Sequence, residues 1–224
     1  MVTENTQTLN DKAWIRWSAL FIVAFTMMAA YYVNDVMAPL KSMLEGQLSW
    51  TSGEFGMFTG AYSFLNVFLL MLIWGGLILD KFGIRFTGIL ATVLMVGGTA
   101  VEYIAITQYG GTSEMLWGYK LDVLMASAGY SVFGVGAEVA GITVTKIIAK
   151  WFKGKEIALA MGVQVALARI GSQAAYAIAI PVAKAYSLET PLFIGAAVLV
   201  GGFFAFLAFS LMDRKLDKQV RIST

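Results

Sequence analysis

Two side chains in this sequence are of types that can do chemistry and stand where such types are scarce. Glu138 and Arg169 each lie deep within a long apolar run of the stretch GYSVFGVGAEVAGITVTKIIAKWFKGKEIALAMGVQVALARIGS, Gly129 to Ser172. A carboxylate and a guanidinium so placed have three uses. They can hold each other as a permanent ion pair. They can grip a zwitterion, Glu138 meeting an ammonium and Arg169 taking a carboxylate through its planar fork. Or Glu138 can titrate and relay a proton or ion. Arg169, Gln173 and Tyr176 recur on one helical stripe, and Ser131, Gly134, Glu138 and Thr145 share another. Tyr31, Asn34 and Asp35 make the far end of the first apolar run polar, and Tyr62 and Asn66 share a face of the second. Such flanking polarity favours a cavity over a closed pair, although helix–helix hydrogen bonding would also account for Asn66 and Gln173.

The elements that must position these groups follow from composition. The 224 residues are 58% hydrophobic and 13% charged, against roughly 25% charged in a globular domain. Apolar runs of this length read as membrane-spanning helices, and they lack the period-two alternation of a membrane barrel. The sequence therefore predicts an all-α membrane protein with six transmembrane helices, at about 14–40, 55–79, 86–106, 121–148, 157–184 and 191–212. Residues 1–13 are an N-terminal segment, 14–212 the six-helix bundle, and 213–224 a charged tail or the start of a central loop. Trp14 and Trp17 bracket the first span at the interface aromatic residues favour, and Pro39 weakens its end. Small residues (Ala158, Gly162 and Ala166 in the fifth span, Gly134, Gly136, Ala137 and Gly141 in the fourth) are expected to let helices pack closely.

Charge placement orients the bundle. Lys12, Arg16, Lys81, Arg85, Lys146, Lys150, Lys153, Lys155, Arg214, Lys215, Lys218 and Arg221 collect on one side, against Lys41, Lys120 and Lys184 on the other. By the positive-inside rule both termini face the cytoplasm. Orientation alone explains these basic clusters, so no nucleic-acid partner is called for. Counting from the hairpin WFKGKE, Glu138 lies about 15 Å and Arg169 about 20 Å into the membrane at 1.5 Å per residue. Both therefore fall near the middle of a core about 30 Å thick.

The sequence has no cysteine and no histidine. That removes thiolate and imidazole chemistry, disulfides and the commonest metal ligands, so neither an enzyme nor a metal or other cofactor is expected. The glycine-rich GVGAEVAG lies inside a span with no preceding strand and is not a phosphate loop.

The turn Gly76-Leu-Ile-Leu-Asp80-Lys81-Phe-Gly83-Ile-Arg85 resembles the loop 2–3 signature of the major facilitator superfamily, with Ile84 where a further basic residue would stand. Together with WFKGKE (Trp151–Glu156), ARIGS (Ala168–Ser172), FGVGAE (Phe133–Glu138), FGIR (Phe82–Arg85) and Tyr62-Ser63…Asn66-Val67, it resembles the lysosomal dipeptide-transporter branch and its bacterial relatives. The resemblance implies the N-terminal six-helix half of such a transporter, itself a 3+3 repeat. It implies that Glu138 and Arg169 grip the dipeptide termini and that Asp35 is the branch's acidic residue late in span one. Tyr130 stands where those relatives carry an arginine. Gly76, Asp80, Lys81, Gly83 and Arg85 would form the gating motif, with Asp80 capping or facing a helix N-terminus.

The expected protein is thus a secondary transporter half moving small zwitterions, dipeptides among them, by alternating access. The substrate site would draw on Glu138, Arg169, Asp35, Tyr31, Tyr62, Asn66 and Gln173. Its partners would be the lipid bilayer, the substrate, and a missing C-terminal six-helix half or a second copy of the chain. A six-span accessory or scaffold protein with a structural Glu138–Arg169 pair is the alternative. No acidic dileucine sorting signal stands out in residues 1–13, so a bacterial cytoplasmic membrane is expected rather than a lysosome.

Overall fold

The computed structural model describes residues 8–223. Its helices are α1 (Ala13–Val36), α2 (Lys41–Gln47), α3 (Ser52–Phe68), α4 (Met71–Gln108), α5 (Leu121–Trp151), α6 (Ile157–Ala185) and α7 (Thr190–Ser223). Among the described residues, five helical stretches are long and apolar enough to cross a membrane: Ala13–Gln47, Met71–Gln108, Leu121–Trp151, Ile157–Ala185 and Thr190–Val220. The all-helical expectation has one small exception. Met115–Leu116 pairs with Tyr119–Lys120 as a hairpin, β1 and β2. Trp117 and Gly118 between them both have positive φ, 54° and 83°, as a type I′ turn requires.

The ends of α1 and α3 follow local chemistry. Pro39 sits in a short 3-10 turn, Ala38–Leu40, that separates α1 from α2. Thr51 and Glu54 form a reciprocal capping box at the start of α3: Glu54 N donates to the Thr51 hydroxyl at 3.2 Å, and Thr51 N donates to the Glu54 carboxylate at 2.7 Å.

The second span departs from expectation. It is not one helix over 55–79: α3 stops at Phe68, Leu70 takes a left-handed conformation (φ 51°, ψ 42°), and α4 begins at Met71. The turn expected over Asp80–Arg85 contracts to a single residue. Gly83 inside α4 has φ 79° and ψ 173°, a region open essentially to glycine alone. Contacts with α5 reverse their sense there. Before it, Tyr62 abuts Gly134, Gly75 abuts Val139, and Lys146 reaches Leu79 and Asp80. After it, Ala91 and Met95 abut Gly136, Gly98 abuts Phe133, and Glu102 abuts Gly129. Residues 71–82 and 84–108 are therefore two arms running in opposite directions along α5.

The helices exchange partners. α1 packs on α6 and α7, whereas α5 packs on α3 and α4. At the α4–α5 crossing, a Cβ on Gly98 would lie 2.4 Å from Phe133 N and one on Gly129 would lie 2.6 Å from Gly98 O, so the two backbones touch. Gly134 and Gly136 serve close packing as expected, against Tyr62 and Ala91. Gly141 and Gly162 do not: open space faces both.

The basic end of the bundle is a charge network. Buried Asp213 accepts from Arg85 Nη1 (3.1 Å), Lys150 Nζ (2.6 Å) and Trp151 Nε1 (3.1 Å). Asp217 accepts from Arg85 (2.6 Å) and Lys150 (2.7 Å). Both aspartates belong to the stretch set apart as a tail, which continues α7 as helix. Nearby, Arg16 bonds both oxygens of Glu156 at 2.9 and 3.0 Å. Lys155 bonds Asp11 at 3.0 Å. The Thr8 hydroxyl and Lys155 hold the Asp11 carboxyl down at about 2.

Candidate functional site

A cavity of about 320 Å³ opens among α1, α3, α5 and α6. Its polar lining is Tyr31 and Asn34 from α1, Thr59 and Tyr62 from α3, Tyr130 and Glu138 from α5, and Arg169 from α6. Gly141, one turn beyond Glu138 on α5, also lines it, so the wall recedes there instead of filling with a side chain.

The two charges do not meet. Among the described residues, no ion pair joins Glu138 to Arg169. Glu138 Oε1 accepts instead from the Tyr62 phenol at 2.9 Å. The Arg169 guanidinium lies over the Tyr31 ring, 5.2 Å from its centroid, a cation–π contact that leaves its in-plane donors without a hydrogen bond among the described residues. A permanently closed salt bridge is therefore not the arrangement of this structure.

An aromatic wall fixes the groups on α3 and α5. Tyr130 is buried, donates to the Asn34 carbonyl at 2.7 Å, and stacks on Phe58 with centroids 4.8 Å apart. Its ring also meets Tyr62 at 5.5 Å and Phe133 at 5.9 Å. Tyr62 thus packs against a ring held by its own hydrogen bond and stacking contacts, while its phenol reaches Glu138.

Of the seven residues proposed from sequence for substrate binding, Tyr31, Tyr62, Glu138 and Arg169 converge on the cavity. Asp35, Asn66 and Gln173 do not line it. Asp35 sits behind the rim and accepts from Asn34 Nδ2 at 2.8 Å. Asn66 turns back on its own helix, Nδ2 donating to the Tyr62 carbonyl at 3.0 Å. Gln173 is on the exposed side of α6. Helical spacing places these residues on shared faces, but the cavity lies on only part of each face.

Thr59 went unnoticed in the sequence, although it lies three residues before Tyr62 and so on its stripe. Glu102 is a further such residue, outside the cavity lining. It is a third acidic residue within an apolar run, fully buried, with no hydrogen-bond partner for either carboxyl oxygen among the described residues. The residues of the motif after the second span all lie on α4, and their side chains take different partners. Asp80 accepts from Lys146 at 2.7 Å rather than capping a helix, Lys81 lies over the Phe82 ring at 5.3 Å, and Arg85 joins the Asp213–Asp217 network. Gly76 faces open space.

The family model described as Major Facilitator Superfamily matches residues 20–222. Curated relatives include the lysosomal dipeptide transporter MFSD1 of Mus musculus, 26% identical over 214 residues, covering 91% of this chain and 43% of the relative. The protein of the same name from Bos taurus is 30% identical over 158 residues, covering 70% of this chain and 31% of the relative. That from Homo sapiens is 29% identical, with the same coverages of 70% and 31%. The chain thus spans less than half the length of the curated relatives it matches. With a family match from near its start to near its end, on an all-helical frame of membrane-crossing length, the chain belongs to the major facilitator superfamily, a family of multi-pass membrane transporters and not of enzymes.

Proposed function

We propose that this chain is the N-terminal half of a secondary transporter that moves small zwitterions, dipeptides among them, by alternating access. The observation that carries the reading is that Glu138 and Arg169 line one cavity while remaining unpaired. An ammonium would bind at Glu138, whose second oxygen is not engaged by Tyr62, and a carboxylate would bind across the donors of Arg169. Tyr31 beneath the guanidinium and Tyr62 against the carboxylate would orient the two charges. The relatives are named as dipeptide transporters, in keeping with a site made for opposite charges at two ends.

The chain would cross the membrane six times: α1, α3 continued by residues 71–82, residues 84–108, α5, α6 and α7. Reversal at Gly83 supports the count, and the partner exchange of α1 and α5 supports a 3+3 repeat. Both ends would lie on the basic, cytoplasmic side of a bacterial cytoplasmic membrane. α3 and α6 are the equivalent second members of the two trios. Phe58 is the single buried residue of α3, and the most apolar stretch of α6 is 28% buried, the lowest of the five long helical stretches, against 56% for Ala13–Gln47 and for α5 and 33% for α7. These two open faces, with the cavity between them, would receive a second six-helix half or a second copy. Rocking of the two bundles would expose the site to each side in turn.

Uptake of labelled dipeptide into proteoliposomes, using the full reading frame, tests the proposal. Glu138→Gln and Arg169→Gln should each lower uptake by about 30-fold or more, the loss expected when one partner of a buried charge contact is truncated. Normal uptake in both variants would sink the assignment.

A further inference from the structure

A second polar site lies outside the cavity, in a groove between the start of the second arm of α4 and the end of α7. It encloses about 330 Å³ and is lined by Arg85, Arg214, Asp217 and Lys218. Arg85 and Asp217 are bonded to each other, and Lys150 and Asp213 complete a cluster in which two cations meet two carboxylates. Arg214 and Lys218 stand outside that balance. Both are exposed, neither joins an ion pair among the described residues, and they lie one turn apart on the same face of α7. The groove thus presents a guanidinium fork and an ammonium that no ion pair among the described residues neutralises, a donor set suited to phosphate.

The same face turns apolar in the other direction along α7. Leu211, seven residues before Lys218, is 60% exposed, and Phe204, seven before that, is 62% exposed. On α4, Phe82 and Phe86 flank Arg85, are half exposed, and pack ring to ring at 5.0 Å. A cationic groove therefore grades into an exposed apolar stripe at the boundary between helix and charged end, the setting in which lipid headgroups are held between helices.

We propose that this groove binds one anionic phospholipid. Its phosphodiester would sit between Arg214 and Lys218 with Arg85 behind, and its acyl chains would run along Leu211, Phe204 and Phe86. A zwitterionic phospholipid would bring its own ammonium against two uncompensated cations, so charge selects the anionic lipid. The site is separate from Glu138 and Arg169, and its fate does not depend on what the cavity carries.

Native mass spectrometry of the purified full reading frame, titrated with phosphatidylglycerol or phosphatidylcholine, tests this directly. Phosphatidylglycerol adducts should exceed phosphatidylcholine adducts at equal concentration. They should fall by roughly 30-fold in Arg214→Gln/Lys218→Gln, following the attraction each basic residue contributes near a lipid surface. Arg214→Lys/Lys218→Arg should restore them. Lys153→Gln, which removes another exposed cation, should leave them unchanged. Both α7 side chains are exposed and join no ion pair among the described residues, so the fold is not at stake in these variants. Equal retention of the two lipids, undiminished adducts in the double glutamine variant, or an equal loss in Lys153→Gln would overturn the site. Displacement of the lipid by inorganic phosphate at millimolar concentration would make it a free-anion site and overturn the lipid assignment.

Discussion

At the basic end of the bundle, Arg85 and Lys150 close on Asp213 and Asp217 at 2.6–3.1 Å. In the cavity, Glu138 and Arg169 stay apart, each held by a tyrosine. Both regions bring carboxylates near cations, and the outcomes differ. Asp213 is fully buried and takes three donors from two other elements, α4 and α5, so its charge is spent on joining helices. Glu138 takes one phenol and Arg169 one aromatic face, which orient the charges without neutralising them. A charge satisfied by the protein holds the fold together, and a charge only oriented by the protein is available to a ligand.

The largest test of this contrast is to delete a carboxylate from each region. Asp213→Ala leaves the Trp151 indole without its acceptor and Arg85 and Lys150 with Asp217 alone. It should destabilise by about 3–5 kcal/mol, as expected for breaking a buried ion pair, lowering the thermal midpoint by roughly 10 °C. Glu138→Gln should move the midpoint by less than a third of that. Equal midpoints for the two variants would erase the distinction between the regions.

Tyr62→Phe sharpens it on a smaller scale. Loss of a charge-assisted hydrogen bond of about 1.5–3 kcal/mol leaves Glu138 misoriented rather than absent. The apparent KM for dipeptide uptake should rise by about 10-fold with the protein still folded. An unchanged KM would reduce Tyr62 to a packing partner of Tyr130.

The smallest effect belongs to Asp11, at the exposed rim of the basic end. Its folded pKa of about 2 lies below the ordinary 3.8 because Thr8 and Lys155 favour the carboxylate. A depressed acid stabilises the fold above its unfolded pKa, and that contribution is lost as pH falls from 3.8 through about 2. Thermal midpoints across that window should fall less steeply in Asp11→Asn than in the parent, with little difference near pH 7. Parallel curves would show that the Asp11–Lys155 contact carries no linkage.

Much of the site was legible because a charge inside an apolar run is conspicuous in one dimension. Glu138 and Arg169 stand out that way, and Glu102 in VEYI stands out equally. Gly83 was legible too, since Asp-Lys-Phe-Gly interrupts two greasy stretches. The break at Leu70 was not, for Phe-Leu-Leu-Met contains no glycine, proline or polar residue to mark it. A leucine is held left-handed there by its surroundings, not by its own preference. Asp35, Asn66 and Gln173 were assigned by helical face, and periodicity cannot say which part of a face a cavity occupies. Gly141 and Gly162 show the same limit. Both looked like packing residues, yet one lines the cavity and the other faces outward.

The sequence by itself determined the solvent and the class of structure. Transfer of apolar side chains and closure of backbone hydrogen bonds within a segment are local quantities, so membrane helices and the basic end could be read along the chain. Which charges pair was decided by the tertiary structure alone. An ion pair needs atoms within a few ångströms, and those distances depend on how α1, α3, α5, α6 and α7 cross. The crossings are set by backbone contacts such as Gly98 against Gly129. They bring Asp213 to Arg85 and Lys150, and they leave Glu138 and Arg169 facing one cavity unpaired.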